Sequence, residues 1–315
     1  MEHYVTLFDS LFLPQGLALH SSMERHAGTY TLWILCVDDE VFENLLRMDL
    51  RNVRLLQLSR LETDALLKVK GERTRGEYCW TLTPFSLRFV FEADQSVARV
   101  TYLDADMWFR KNPAPIFSEL ETSAKHVLIT DHAYAPEWDQ SILSGQYCVQ
   151  FMVFSREGGE AVRKWWEDRC IEWCYAKFEG GKFGDQKYLD DWTERFPRQV
   201  HVLSDKELLL APWNATRFPF GRAVCWHFHA LRIVNGLSPG KYGVDCGKYP
   251  LPLVVRENIY HEYLKDLRRA VKKTEEFGVA VRAQGTRPLQ VRMGALLVGF
   301  WRQTWRARIR LYLPL

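Results

Sequence analysis

The chain has 315 residues and a formal net charge of +3, with 47% hydrophobic and 26% charged residues. This composition is typical of a soluble globular protein with one large or two smaller domains, and no uninterrupted apolar run is long enough to span a bilayer. The start Met1-Glu2-His3-Tyr4 lacks the segments of a signal peptide, and the seven scattered Cys without Cys-x-x-Cys favour reduced core thiols over a zinc site.

The first part of the chain alternates apolar strands with amphipathic helices. This β-α-β-α-β order predicts a parallel, Rossmann-like sheet. No Gly-x-Gly-x-x-Gly follows the first strand, so the phosphate loop of a dinucleotide-binding domain is missing. The predicted strands lie at 4–8, 31–37 and 53–58, and the predicted helices at 16–26 and 40–48.

A buried strand predicted at 97–103 leads directly into Asp104 and Asp106. Ligand sites in open α/β sheets lie at the carboxyl ends of strands, and two carboxylates there offer hard oxygen ligands to Mg²⁺ or Mn²⁺. An ordinary solvated acidic loop is the alternative. A haloacid-dehalogenase-like phosphatase is disfavoured, because Trp108 stands where that motif has Thr or Val.

The middle of the chain continues the same pattern. A long Trp-rich helix is expected at 156–175, and a helix at 185–192 opens with Asp185-Gln186. Further strands are expected at 126–130, 148–154, 200–203 and 224–229. Because strand ends meet at one edge of such a sheet, we expect one rim to gather the following residues: Asp9, Asp38, Asp104, Asp106, Asp131 and His227.

Six short motifs carry a family resemblance over about residues 4–234. They resemble those of nucleotide-sugar glycosyltransferases of the GT-A fold, particularly the family-eight-like group and enzymes of bacterial surface-polysaccharide (lipopolysaccharide or O-antigen) gene clusters. The motifs are Thr6-Leu7-Phe8-Asp9-Ser10, Arg75-Gly76-Glu77-Tyr78, Tyr102-Leu103-Asp104-Ala105-Asp106, Gly184-Asp185-Gln186, Ala211-Pro212-Trp213-Asn214 and His227-Phe228-His229.

The resemblance implies an α/β GT-A fold, with a mainly parallel sheet flanked by helices, and a metal site for Mn²⁺ or Mg²⁺. Asp104, Asp106 and His227 are the implied ligands, and His229 competes with His227 for the last place. A bound divalent ion would stabilise the diphosphate leaving group of the donor. A core histidine without a ligand role is the alternative for His227.

The resemblance also implies sites for the donor, expected to be a UDP-sugar, and for the reacting carbon. Thr6, Phe8 and Asp9 are expected to contact the nucleoside, although the first two fit ordinary strand positions equally well. Arg75 and Arg88 are expected to pair with phosphate or with the surroundings of Asp104, because Arg suits bidentate recognition of oxyanions. Asp104 is itself expected to contact the donor, and a solvated charge is the alternative for Arg75.

Asp185 and Gln186 are the catalytic residues implied by the resemblance, beside the anomeric carbon of a retaining enzyme. A helix N-cap is the alternative for Asp185. The sequence departs from family eight after the late histidine, where residues 230–233 replace the usual Gly and Lys-Pro-Trp spacing. This departure leaves the late phosphate contact and the retaining outcome open.

The C-terminal end has a different charge from the rest. Residues 263–315 contain 12 Lys/Arg and 3 Asp/Glu, a net +9 that leaves −6 for the other residues. We expect a GT-A domain at 1–260 and a basic amphipathic region at 261–315, whose helix at 291–315 places Arg302, Arg306 and Arg310 on one face. Such helices lie on anionic membranes. Packing on the body is the alternative, and nucleic acid is not an expected partner.

These patterns predict a metal-dependent glycosyltransferase that moves a sugar from a nucleotide-diphosphate sugar to a glycan or lipid-linked acceptor in surface-polysaccharide synthesis. We expect it in the cytoplasm, peripherally attached to the inner face of the cytoplasmic membrane. The alternative is a non-catalytic membrane-associated protein on a glycosyltransferase-like scaffold.

Overall fold

The computed structural model describes residues 1–236, 240–285 and 311–315. Thirteen strands lie in these ranges: β1 (Glu2–Phe8), β2 (Tyr30–Cys36), β3 (Val53–Gln57), β4 (Arg99–Leu103), β5 (Met107–Phe109), β6 (Val127–Asp131), β7 (Tyr147–Ser155), β8 (Val200–Val202), β9 (Leu209–Leu210), β10 (Cys225–His227), β11 (Arg232–Asn235), β12 (Tyr242–Asp245) and β13 (Tyr312–Pro314).

The helices of the same ranges are α1 (Leu13–His26), α2 (Asp39–Met48), α3 (Asp64–Lys70), α4 (Arg75–Ala93), α5 (Ala114–Ser123), α6 (Ser141–Ser144), α7 (Arg156–Glu172), α8 (Trp192–Arg195), α9 (Leu253–Val255) and α10 (His261–Glu276). A π-helical turn, Arg256–Tyr260, joins α9 to α10 without a break. Short 3₁₀ helices lie at Ser10–Phe12, Leu58–Arg60, Pro136–Trp138, Gln186–Asp191 and Pro212–Asn214.

A seven-stranded sheet in the order β3-β2-β1-β4-β7-β6-β8 forms the centre of the molecule. Strands β3, β2, β1 and β4 are mutually parallel, as are β6 and β8, whereas β7 runs antiparallel to both of its neighbours. Buried residues fill the two faces of the sheet in two separate clusters, which explains the continuous apolar runs of β2 and β7. The predicted mixed, mainly parallel α/β sheet is confirmed.

A second sheet, of three strands, brings the chain that follows the Asp-x-Asp motif next to the strand that ends at His227. Strand β5 pairs antiparallel with β10, which runs parallel to β9. Strands β5 and β9 were not predicted, because they have only three and two residues. The third sheet, in the order β11-β12-β13, was not predicted either; it follows the strand that was expected to be the last.

The described part of the predicted C-terminal region packs on the body. Helix α10 lies against α1, and its buried residues Tyr263, Leu264 and Leu267 belong to the same apolar cluster as Leu13 and Leu17 of α1. The packing of α10 on α1 was not predicted, because charged residues dominate the sequence of this helix and its apolar face is narrow.

The predicted amphipathic helix at 291–315 lies outside the described residues except for 311–315. There the prediction of a helix is wrong, because β13 pairs antiparallel with β12 and the Cys246 amide donates to the Leu311 carbonyl. Arg268 of α10 also donates to the Pro314 carbonyl oxygen at 2.9 Å. Within the described ranges, none of the helices has the length and apolar character that crossing a membrane requires.

Candidate active site

The two carboxylates of the Asp-x-Asp motif meet His227 at the carboxyl end of β4. The chain turns after β4, with the Met107 amide donating to the Asp104 carbonyl oxygen at 3.1 Å, and then pairs Met107 with His227 in the β5–β10 ladder. The Nε2 atom of His227 lies 3.0 Å from Asp106 Oδ1 and 3.5 Å from Asp104 Oδ2. One potential ligand atom from each of the three side chains lies within 4.8 Å of the others.

Neighbouring side chains fix the orientation of this triad. The Oε1 atom of buried Gln150, on β7, lies 2.9 Å from His227 Nδ1, and the Tyr102 hydroxyl donates to Asp104 Oδ1 at 2.9 Å. When Nδ1 carries the hydrogen, it donates to Gln150 and Nε2 faces the carboxylates. Metal-binding histidines are typically held in this way by a partner on the other ring nitrogen.

The pKa values of the three side chains are shifted in different directions. Burial opposes ionisation of Asp106, but the charge and hydrogen bond of His227 outweigh it and lower the pKa of Asp106 to about 2. Burial raises the pKa of Asp104, and His227 only partly offsets this effect. Burial also opposes protonation of His227, yet the two carboxylates raise its pKa. The two carboxylates thus favour a protonated His227, whose positive charge balances theirs. A bound divalent cation would balance the same negative charge in its place.

The donor set fits a divalent cation. Two carboxylates and one imidazole suit Mg²⁺ or Mn²⁺, and Gln150 already holds the imidazole at its far nitrogen. His229 does not belong to this cluster. Its ring packs 5.2 Å from the ring of Trp213, and burial, together with the nearby His227 charge, lowers the pKa of His229 to about 3. The geometry thus favours His227 over His229 as the ligand.

Asp185 presents a buried carboxylate to the same pocket. Gly184 before it has a φ of +53°, a left-handed conformation that glycine adopts without strain, and Trp166 donates to the Asp185 carbonyl oxygen at 2.8 Å. Its Oδ2 atom has no hydrogen-bond partner among the described residues. Burial, with a contribution from the Asp104 charge, raises the pKa of Asp185 to about 7.

The alternative role of Asp185 as a helix N-cap finds no support in its contacts. The residue precedes the 3₁₀ helix Gln186–Asp191, but within the described chain its side chain makes no capping hydrogen bond. Gln186 follows it into the pocket, and its amide Nε2 donates to the Ser144 carbonyl oxygen at 2.8 Å. The backbone contacts and Gln186 therefore hold the pair, and the Oδ2 atom of Asp185 remains available to a ligand.

The triad, Asp185 and Gln186 line one cavity of about 590 Å³, a size typical of small-ligand sites. The cavity lies across the carboxyl ends of β1 and β4, where sequence analysis expected a ligand. It gathers most of the predicted site residues: Phe8, Asp9, Arg75, Asp104, Asp106, Asp185, Gln186, His227 and His229. Asp38 and Asp131 are not among its lining residues; they pair with Arg75 and Lys206, respectively.

Arg75 is held between two acids at the other end of the cavity. Its Nε lies 2.5 Å from Asp9 Oδ2, and its Nη2 also contacts Asp38. The other oxygen of Asp9 accepts from the amides of Leu11 and Phe12 at 3.0 and 3.2 Å. The guanidinium charge of Arg75 is thus already balanced, which makes it a poor phosphate ligand unless these pairs separate.

Two predicted donor residues are not brought into the cavity. Arg88 lies on α4 against α7, where it pairs with the buried Glu167 at 3.3 Å and lies over the rings of Phe85 and Phe89. Thr6 is fully buried in β1 and is not among the residues that line the cavity. Arg88 lies on a helix that is apolar on nearly every side, so the sequence pattern could not show which face of α4 it occupies.

Arg232 and Lys248, two further cations that line the cavity, were not among the predicted site residues. No carboxylate in the described ranges forms an ion pair with either side chain. Arg232 lies over the Phe12 ring at 5.6 Å and lowers the pKa of Asp106, and Lys248 lies over the Tyr249 ring at 5.3 Å. The signal for Arg232 was present, since it follows the late histidines by a few residues.

Comparisons with known proteins agree with this geometry. The galactosyltransferase LgtC, solved with donor and acceptor sugar analogs, superposes with a TM-score of 0.53 at 11% identity, over 85% of this chain and 95% of that chain. The glycosyltransferase GlyE of Streptococcus pneumoniae TIGR4 superposes with a TM-score of 0.51 at 15% identity, over 90% and 66%. These likenesses confirm the predicted GT-A fold.

Two sequence relatives come from Bacillus subtilis (strain 168), and no family model matches the chain. The uncharacterized protein YfnF is 31% identical over 280 residues, which is 83% of this chain and 91% of YfnF. The uncharacterized protein YfnD is 31% identical over 249 residues, which is 74% of this chain and 79% of YfnD. The chain therefore belongs to the same family as YfnF and YfnD and has the GT-A fold of the glycosyltransferases.

Proposed function

We propose that the chain is a metal-dependent glycosyltransferase that uses a nucleotide-diphosphate sugar. One observation carries the proposal: a carboxylate–carboxylate–imidazole triad and the buried carboxylate of Asp185, whose Oδ2 atom has no hydrogen-bond partner among the described residues, line the same cavity. Asp104, Asp106 and His227 are the proposed ligands of Mn²⁺ or Mg²⁺. The bound ion would stabilise the charge that develops on the diphosphate leaving group.

The donor is proposed to lie along the cavity from Phe8 to Asp185. Phe8 and Phe12 offer rings to a nucleobase, and a UDP-sugar is the proposed donor. Arg232 offers a guanidinium to the diphosphate oxygens, a group that suits bidentate recognition of phosphate. In this arrangement Arg232 replaces the late lysine that the resemblance led us to expect.

Asp185 and Gln186 are proposed to act at the sugar. A carboxylate with a pKa near 7 can hold or release a proton at neutral pH, and its fixed position close to the triad suits a group that contacts the transferred sugar. Gln186 holds the Ser144 carbonyl and so shapes the wall around the anomeric carbon. A retaining, family-eight-like reaction is the stereochemical outcome we propose.

The acceptor is proposed to be a glycan or lipid-linked glycan of surface-polysaccharide synthesis. The basic residues at 291–315 support a reversible attachment to the inner face of the cytoplasmic membrane, because each Lys or Arg near an anionic surface contributes about 1 kcal/mol. Attachment there would bring the cavity close to a lipid-linked acceptor.

Sugar-nucleotide binding and turnover test the proposed activity. Thermal-shift measurements with a panel of nucleotide sugars, with and without Mn²⁺, should find a donor that raises the melting temperature only with the ion, since a ligand that binds the folded state stabilises it. The same donor should then be hydrolysed or transferred in Mn²⁺ but not in EDTA. Asp106→Asn should abolish turnover, because the site loses a charged ligand.

Asp131→Asn is the matched control. Asp131 also ends a strand at this edge of the sheet, but it pairs with Lys206 and does not line the cavity. Its loss should leave turnover unchanged. Nucleotide binding without any donor cleavage would contradict the proposed activity and favour a non-catalytic scaffold, and full activity in EDTA would contradict the role of the metal.

A further inference from the structure

The rear face of the candidate metal site is built by the C-terminal helix. Trp108 follows Asp106 by two residues on β5, and Phe228 follows His227 directly after β10. The Phe228 ring stacks on the ring of Tyr263 from α10 with centroids 3.6 Å apart, and the Trp108 ring packs edge-on against both. The residues next to the proposed ligands therefore rest on α10.

Asp266 lies one helical turn after Tyr263 and makes the polar contact of this interface. It is only 3% exposed and accepts a hydrogen bond from Trp108 Nε1 at 2.7 Å. Arg25 of α1 pairs with the same carboxylate, and Arg269 lies 3.3 Å from its Oδ1 atom. Two cations thus balance the buried charge, as a buried carboxylate requires.

These contacts connect the β5–β10 ladder, which carries the proposed metal ligand His227, to helices α10 and α1, and they fix the distance between the ladder and α10. The indole of Trp108 can donate to Asp266 only when β5 packs directly against α10. Asp106 immediately precedes β5, so the position of β5 in its pairing with β10 determines where Asp106 lies relative to His227. The Phe228 amide donates to the Asp106 carbonyl oxygen at 2.9 Å, which couples the two strands beyond their last ladder pair. A shift of β5 would therefore change the spacing of the three ligand atoms.

We propose that Asp266 is a positioning residue of the metal site, acting through Trp108 to hold Asp106 and His227 at metal-binding distance. The inference rests on the proposed function, because it assumes that the triad binds a divalent ion. The proposal also gives α10 a role in supporting the metal site, although the sequence pattern grouped this helix with a membrane-associating region.

Mn²⁺ affinity of the full-length protein tests the proposal without any donor or acceptor. Titration with Mn²⁺ alone, followed by the electron paramagnetic resonance signal of the free ion, gives Kd for each variant. Asp266→Leu removes the acceptor at similar volume and should raise Kd about tenfold, the lower end of the effect seen when partners of metal ligands are removed. Trp108→Phe should raise Kd equally, and the double variant no further, because both changes break one contact.

Two further variants separate positioning from stability. Asp266→Asn keeps an oxygen that can accept from Trp108, so it should bind Mn²⁺ within about twofold of the wild type and provides a folded variant if Asp266→Leu does not fold. Glu24→Leu is the matched control, since Glu24 accepts from the Tyr30 hydroxyl at 2.6 Å on α1, away from the cavity. It should lower the melting temperature and leave Kd unchanged.

The possible results distinguish this proposal from the proposed function. If the wild type binds Mn²⁺ and Asp266→Leu and Trp108→Phe bind it equally well, Asp266 is a structural residue only and the inference is wrong. If Asp266→Leu does not fold, Trp108→Phe decides: Mn²⁺ binding by that variant at the affinity of the wild type makes the inference equally wrong. If the wild type does not bind Mn²⁺, the metal site itself is refuted.

Discussion

Replacing Asp185 by Asn should stabilise the unliganded protein while it removes activity. Burial raises the pKa of this carboxyl from its ordinary value of 3.8 to about 7. The folded state therefore holds the proton more tightly than the unfolded state, and between about pH 4 and pH 7 the free energy of unfolding falls as the pH rises. Each pKa unit corresponds to about 1.4 kcal/mol, so the buried carboxylate costs about 4 kcal/mol above pH 7.

An Asn side chain is neutral at every pH and has nearly the same shape as Asp, so the variant does not lose this free energy of unfolding as the pH rises. The free energy of unfolding of Asp185→Asn should exceed that of the wild type by an amount that grows by about 2–3 kcal/mol between pH 5 and pH 8. Urea denaturation across this range, in EDTA so that no cation lowers the pKa of the carboxyl, measures the difference. The kcat of the same variant should fall at least a hundredfold.

Asp168→Asn is the control for this experiment. Asp168 is half exposed on α7 and pairs with Lys164, so its loss should change the free energy of unfolding by less than about 0.5 kcal/mol at any pH. A difference for Asp185→Asn that does not depend on pH would refute the reasoning. A variant less stable than the wild type at pH 8 would instead return Asp185 to a structural role.

Three further predictions concern other parts of the molecule. Gln150→Leu should raise the Kd for Mn²⁺ about tenfold in a metal titration, because the His227 ring loses the partner that orients it; an unchanged Kd would contradict that role. Deletion of 311–315 should lower the free energy of unfolding by on the order of 3 kcal/mol in urea, since leucines of β13 and its flanks pack on the core. Changing Arg302, Arg306 and Arg310 to Gln should release the protein from anionic liposomes at lower salt in a cosedimentation assay, and equal retention would exclude the tail from membrane binding.

The sheet and the two carboxylates of the proposed metal site were predictable because their signals are local. A strand that is buried on both faces is a continuous apolar run, so β1, β2, β4 and β7 were all recognised within two or three residues at each end. The Asp-x-Asp motif follows such a strand directly. His227 required the family resemblance in addition, since nothing in the residues around it distinguishes it from His229.

The remaining parts of the site depend on contacts between distant segments. Arg88 and Arg75 are both arginines of α4, yet one pairs with Glu167 on α7 and the other lines the cavity. Helix orientation decides this difference, and the pattern of an almost wholly apolar helix does not reveal orientation. In the same way, the charge of α10 indicated a solvated or membrane-facing segment, while its narrow apolar face determines where it packs.

The pairing of Arg25 with Asp266 also has a consequence for how the protein folds during synthesis. The two residues are 241 positions apart, so α1 emerges from the ribosome long before the helix that covers it. Until then its apolar face has no partner in α10, and such exposed surface favours aggregation. Contacts of this range slow folding. We therefore expect chains that end between residues 230 and 260, before α10 begins, to accumulate in the insoluble fraction, even though they contain every proposed ligand of the metal.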